Sequence, residues 1–214
     1  MRLLFLYGVN CTVKIWKDLN PYFKETEIDY VEYPHEITLT AAKVEDLTRW
    51  VYTNYGNNQY DAIIGHSLGG IIALQLAAKY KMKCKQIIYL DTNLKPAEEF
   101  YRNVMTPKHM ELYGAEVLQM FNEERLFYRK ELFACIQGDF DYTKELSDIT
   151  QTVYAIYGDR GVHDYPKRIS DLNLPEEALM KLELKFVHDA CHMMMIENPE
   201  ELSTIIKEIL KEEN

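Results

Sequence analysis

Gly65-His66-Ser67-Leu68-Gly69 joins two short segments of different character, and this junction constrains the chain more than any other feature. Tyr60–Ile64 before it reads as a buried strand, and the apolar stretch from Gly70 through Ala78 reads as a helix. On a strand–turn–helix junction, the serine of G-x-S-x-G is held in a strained backbone conformation with its hydroxyl lifted clear of the sheet. A Cβ at Gly65 or Gly69 would collide where strand and helix approach. The following helix aims unpaired N–H groups and a positive dipole end at any anion formed there. Ser67 is therefore the candidate nucleophile.

Around this junction, short apolar runs alternate with amphipathic segments, the pattern of a parallel sheet flanked by helices. Strands are expected at Arg2–Tyr7, Glu27–Tyr33, Tyr60–Ile64, Gln86–Leu90, Val153–Tyr157 and Glu183–Val187. Ala41, Val44, Leu47 and Val51 recur at helical spacing and predict a helix over Thr40–Tyr55. Further helices are expected over Ser67–Tyr80 and Pro199–Glu212. The fold class is thus α/β, a three-layer sandwich around a mostly parallel sheet of about six strands, with function gathered at the strands' C-terminal ends.

Residues 92–150 break the alternation. They carry helical patterns, such as Met110, Tyr113, Val117, Met120 and Phe121, and no convincing strand. We expect residues 1–91 and 151–214 to form the core and 92–150 a helical cap over the junction, its aromatic and methionine side chains lining an apolar pocket.

The chain's 214 residues suit one such domain with a modest insertion, and a hydrophobic content of 47% supports a packed core. A net charge of −10, spread along the chain, argues against nucleic acid as a partner. No stretch is long and apolar enough to span a bilayer, so no membrane partner is expected. The first apolar run is too short for a signal peptide, which makes the cytoplasm the expected compartment. Cys11, Cys84, Cys135 and Cys191 are widely spaced and form no C-x-x-C pair, so they read as reduced thiols.

A serine hydroxyl attacks poorly until a base takes its proton. Of six histidines, His66 is the variable position of the junction and is expected to point away. His192 lies past the last expected strand and before the last helix, on the same rim as Ser67, and is the candidate base; His188 is its main competitor. His188 and His192 are spaced like a metal-binding pair on a helix, but they fall in an expected loop, so no metal site is assigned.

With these residues placed, the chain resembles the α/β-hydrolase superfamily over nearly its whole length. Gly65-His66-Ser67-Leu68-Gly69-Gly70 is similar to the family's nucleophile elbow, and the run from His192 to Pro199 to its H-x-x-x-x-E-x-P ending, where the histidine is catalytic. Tyr7-Gly8-Val9-Asn10 is similar to the H-G-x-x loop after the first core strand, with tyrosine in place of histidine. By that match the Val9 and Leu68 N–H groups would form the oxyanion hole.

Three departures stand out. The usual N-terminal hairpin is missing, because the chain begins at the oxyanion-loop strand. Cys191 replaces the glycine that commonly precedes the histidine, which is tolerable if its φ is below zero. Where the family has G-x-x-D after the penultimate strand, Gly158-Asp159-Arg160-Gly161 puts glycine at the acid position. Three carboxylates could orient His192: Asp91, at the end of the strand after the elbow helix, and Asp159 or Asp164, in the expected loop but out of register. The resemblance implies a serine hydrolase acting on a carboxylic ester or thioester and needing no metal or organic cofactor, and the aromatic and methionine-rich segment over 92–150 suggests a small substrate with an apolar acyl or aryl group. Alternatives on the same fold are a lyase or C–C bond hydrolase, or a poorly catalytic ligand-binding member. Oligomeric state stays open. Cationic partners for an acidic substrate could come from Arg102, Lys108, Arg125, Arg129 and Lys130 in the cap.

Overall fold

Two apolar runs, Leu3–Leu6 and Ile87–Leu90, are wholly buried, as only strands covered on both faces can be. The computed structural model describes residues 1–211. It places these runs in β1 (Arg2–Leu6) and β4 (Cys84–Leu90) of a sheet completed by β2 (Glu27–Tyr30), β3 (Tyr60–His66), β5 (Thr152–Gly158) and β6 (Leu182–Val187). The order is β2-β1-β3-β4-β5-β6, and every neighbouring pair is parallel. The sheet is open, and the six expected strands are all present with no end shifted by more than three residues. The largest shift is in β2, which stops at Tyr30.

The helices are α1 (His35–Thr38), α2 (Val44–Tyr55), α3 (Leu68–Ala78), α4 (Pro107–Glu124), α5 (Lys130–Gln137), α6 (Glu176–Leu179), α7 (Met194–Glu197) and α8 (Pro199–Lys211). α3 is buried on all sides, packed against β1, β3 and β4 and covered by α2. The opposite layer combines α8 with the short 3₁₀ turns Val13–Trp16 and Asn20–Phe23, which carry β1 over to β2. Those turns lack a 3.6-residue apolar period, so no regular crossover helix forms there.

The helix expected over Thr40–Tyr55 begins instead at Val44. Thr40 Oγ1 donates back to the Glu36 and Ile37 carbonyls, closing off α1 as a separate turn. Asp46 Oδ2 then accepts from the Ala42 and Lys43 N–H groups and starts α2. α8 matches the expected final helix as far as Lys211, and Glu212 lies outside the described residues.

Between β4 and β5 the described chain contains only helical turns and connections, including α4 and α5. The amphipathic pattern expected there holds for Val117, which is buried, while Tyr113 is exposed. Among the described residues no helix is long and apolar enough to cross a membrane.

The chain leaves β1 in one direction to form β2, then returns to β1's other side for β3, so the connections diverge between β1 and β3. Clefts in open α/β sheets form outside the strand ends at such a point. At this divergence a Cβ on Gly65 would lie 2.2 Å from the Gly69 carbonyl oxygen, and one on Gly69 would lie 2.3 Å from the Leu6 carbonyl oxygen. Both obstacles are backbone and cannot swing aside. Gly65→Ala and Gly69→Ala are each expected to lower the unfolding free energy by about 1–3 kcal/mol or more in urea denaturation. An unchanged midpoint would mean that β3, α3 and β1 are not in this close contact.

Candidate active site

Ser67 follows β3 and precedes α3 with φ 54° and ψ −122°, outside the conformations favoured by L-residues. Neighbouring backbone holds it there. Its N–H donates to the Leu90 carbonyl at 2.9 Å, and its own carbonyl accepts from Gly70 N–H at 2.9 Å and Thr92 Oγ1 at 2.8 Å. Tyr157 Oη fixes that same Thr92 by donating to its carbonyl at 2.7 Å. β3, β4 and β5 thus converge on the serine.

Asp91, the next residue after β4, also has a left-handed φ of 45°. Its Oδ2 accepts from His192 Nδ1 at 2.8 Å. Since a carboxylate can only accept, this bond keeps the imidazole proton on Nδ1 and leaves the Nε2 lone pair free. Asp91 is also gripped by Arg160, whose two terminal nitrogens meet Oδ1 at 2.7 Å and Oδ2 at 2.9 Å. Burial alone would push the Asp91 carboxyl up, but the Arg160 guanidinium and His192 overcome it and hold the group well below the usual carboxylate range. Arg160 is itself buried, donates to the Gly158 carbonyl at 2.7 Å, and lies 4.4 Å from the centroid of the Tyr101 ring.

The other two acid candidates lie elsewhere. Asp159 Oδ1 accepts from the N–H groups of Gly161 at 2.9 Å and Asp189 at 2.8 Å, tying together the loops after β5 and β6. Asp164 is exposed. Gly161, at the family's usual acid position, has φ 73°. This loop instead supplies Arg160, the cation paired with Asp91. Sequence reasoning did not single out Arg160; a lone cation in a tight strand-end loop beside a neighbouring strand-end carboxylate was the available signal.

His66 departs from expectation. It does not point away: its ring lies 4.5 Å from that of His192, and its Nε2 donates to the His192 carbonyl at 3.0 Å. Burial, reinforced by His192, pushes the His66 imidazole well below its ordinary value and keeps it neutral. Glu197, the acid of the H-x-x-x-x-E-x-P run, closes the same loop by accepting from Cys191 N–H and Thr106 N–H, each at 2.8 Å. Cys191 does not have a positive φ, so it fits where glycine is usual, and burial raises its thiol to about 12.

His188 is not joined to His192 as a ligand pair. Its Nδ1 contacts Glu201, whereas His192 turns to Asp91. Asp159, His163 and His188 do bring atoms capable of binding a metal within 4.8 Å of one another. None of the three lines the cavity at Ser67.

That cavity measures about 550 Å³ and is walled by Ser67, His192, Val9, Leu68 and Asp91, with Tyr101, Phe121 and Phe140 on the side of the inserted segment. Among the described residues no hydrogen bond joins Ser67 Oγ to His192, although both line the same cavity. The arrangement offers a hydroxyl, an imidazole with a fixed tautomer and backbone N–H groups around one cleft.

Residues 29–149 match the family model described as alpha/beta hydrolase fold. A search of the curated proteins finds no match. Similar solved structures include Est816, described as an N-acyl homoserine lactone degrading enzyme: 14% identity, TM-score 0.70, covering 97% of this chain and 92% of that one. A thermophilic esterase from Thermogutta terrifontis gives 15% identity and TM-score 0.69 over 99% and 90% of the two chains. The thioesterase domain from the curacin biosynthetic pathway gives 13% identity and TM-score 0.68 over 96% and 90%. At these identities the likeness is one of fold.

The buried Asp91–Arg160 pair sets a stability prediction. Arg160→Met strands a desolvated carboxylate and is expected to cost about 3–5 kcal/mol in urea denaturation at pH 7. Because Asp91's folded pKa is depressed, its contribution is fully present above the unfolded value of about 4 and is lost as pH falls toward the folded one. The stability gap between the natural protein and Asp91→Asn should therefore narrow below about pH 4. A gap that stays constant down to pH 2.5 would show that the carboxylate is not held charged.

Proposed function

Because the chain belongs to the alpha/beta hydrolase fold family, we propose that it is a serine hydrolase that cleaves a carboxylic ester or thioester through an acyl-enzyme on Ser67. The observation that carries this reading is the 2.8 Å bond from His192 Nδ1 to Asp91 at the wall of the cavity that holds Ser67. The Thermogutta esterase and the curacin thioesterase domain lend support, since their descriptions name an esterase and a thioesterase.

In this reading Ser67 Oγ attacks the substrate carbonyl carbon while His192 Nε2 takes the hydroxyl proton. The carbonyl oxygen gains the negative charge, and the Val9 and Leu68 N–H groups receive it. Both residues line the cavity. Each such donor is worth about 3 kcal/mol at the transition state. The tetrahedral intermediate collapses, the leaving oxygen or sulfur takes the proton from His192, and the acyl group stays on Ser67. Water, deprotonated by His192, then attacks the acyl-enzyme, releasing the acid and restoring the serine.

Asp91 acts through His192, holding its tautomer and stabilising the imidazolium. Arg160 positions Asp91. Residues 92–150 serve as the cap, lending Tyr101, Phe121 and Phe140 to the roof of the cavity and favouring a small substrate with an apolar acyl or aryl part. No step requires a metal or organic cofactor.

A fluorophosphonate probe followed by peptide mass spectrometry should modify Ser67 alone, and labelling should vanish in His192→Ala. Ser67→Ala and His192→Ala should abolish ester turnover. Asp91→Asn should reduce kcat by about 10⁴-fold, while Asp159→Asn and Asp164→Asn stay close to the natural protein. Folded protein that resists the probe would overturn the acyl-enzyme and favour lyase chemistry on the same residues.

A further inference from the structure

The cavity at Ser67 does not end at the cap. A second cavity of about 630 Å³ adjoins it, and Asn10, Phe121 and Gln137 line both. The charges on these walls run against the chain as a whole, which carries 34 acidic and 24 basic residues. Arg102 lines the first cavity, and Arg125 and Lys130 line the second. The sole carboxylate among the described lining residues is Asp91, already committed to Arg160 and His192.

Among the described residues, none of the three cations has an ion-pair contact. Of the acids beside them in sequence, Glu124 contacts His35 at 3.1 Å, and Glu131 contacts Arg129 at 2.9 Å and feels Lys130 only through its field. A further cavity of about 620 Å³, against the Val13–Trp16 turn, shows the contrast, with Asp18, Glu116, Glu123 and Glu124 set beside Lys14 and Lys17. Cations concentrated in a cleft whose walls carry no free acid create a positive potential there. A guanidinium also offers a planar fork suited to carboxylate or phosphate oxygens.

We infer that the paired cavities select a substrate with an anionic group, a carboxylate or phosphate, held by Arg125 and Lys130 with Arg102 on its path to the ester or thioester at Ser67. This rests on the serine hydrolase reading and adds a substrate class to it. Two sources of the charge fit the same cations: a carboxylate at the far end of the acyl group, or a phosphate on the leaving thiol.

Two substrate pairs distinguish the sources. The acyl arm compares p-nitrophenyl butyrate with the mono-p-nitrophenyl ester of succinate. The leaving-group arm compares the butyryl thioester of N-acetylcysteamine with that of phosphopantetheine. The charged member of at least one pair should have a kcat/KM about tenfold or more above its neutral partner. That ratio should collapse toward one in the double variant Arg125→Glu, Lys130→Glu. Lys108→Glu, a cation that lines neither cavity and contacts Asp189, should leave the ratio unchanged. A ratio near one in both pairs, or a preference that survives the double charge reversal, would overturn the inference.

Binding provides a readout independent of turnover. By calorimetry, at least one of the two charged substrates, the succinate mono-ester or butyryl-phosphopantetheine, should bind Ser67→Ala, and adding the two charge reversals should weaken it about tenfold or more. Charge-dependent binding without hydrolysis by the natural protein would remove the hydrolase reading and keep the anion site. Hydrolysis of both pairs without charge preference would do the reverse.

Discussion

One buried carboxylate organises the working end of this molecule. Asp91 is almost fully desolvated, and a lone charge in that position would be untenable. It is stable because Arg160 reaches it from the end of β5 and His192 from beyond the end of β6. The requirement to pair that charge fixes where both loops run. Their own bonds then follow: the Arg160 N–H to the Ala190 carbonyl at 2.9 Å, and Asp159 to the Asp189 N–H. Glu197 extends the same lattice to the start of α4 through Thr106. His192 sits on the serine's rim because electrostatics leaves the loop little choice.

The strained backbone follows the same geography. Ser67, Asp91 and Arg160 all have left-handed φ values, and each lies immediately beyond a strand or one residue further. A strand ending in an extended conformation would project its next side chain along the sheet. Turning φ positive sends the chain sharply away and leaves the side chain at the rim. Ladder bonds continued past the strand ends, Ser67 to Leu90 and Asp91 to Ile156, hold these turns in place.

Most of this architecture was legible in the residues, and the illegible parts have physical reasons. Wholly buried strands such as Leu3–Leu6 are unbroken apolar runs, and G-x-S-x-G demands a close strand–helix approach that few folds provide. Short turns such as Val13–Trp16 bury Ile15 and Trp16 without any helical period, so they left no pattern to find. Asp91 could not be separated from Asp159 or Asp164, because a strand-end carboxylate looks alike whichever loop it faces. What distinguishes it is a cation 69 residues away, a relation that sequence spacing does not carry. The placement of His66 is illegible for the same reason: its partner is a carbonyl 126 residues downstream.

The span of these contacts also bears on synthesis. Asp91 waits 69 residues for Arg160 and 101 for His192, so a ribosome-bound chain that has made only the first four strands carries its serine turn beside a carboxylate with neither partner. Burying that charge early would be costly, so the rim stays hydrated until the last two strands dock. The Asp91 carboxylate therefore acquires both of its partners only when the last two strands and the loops beyond them have been made.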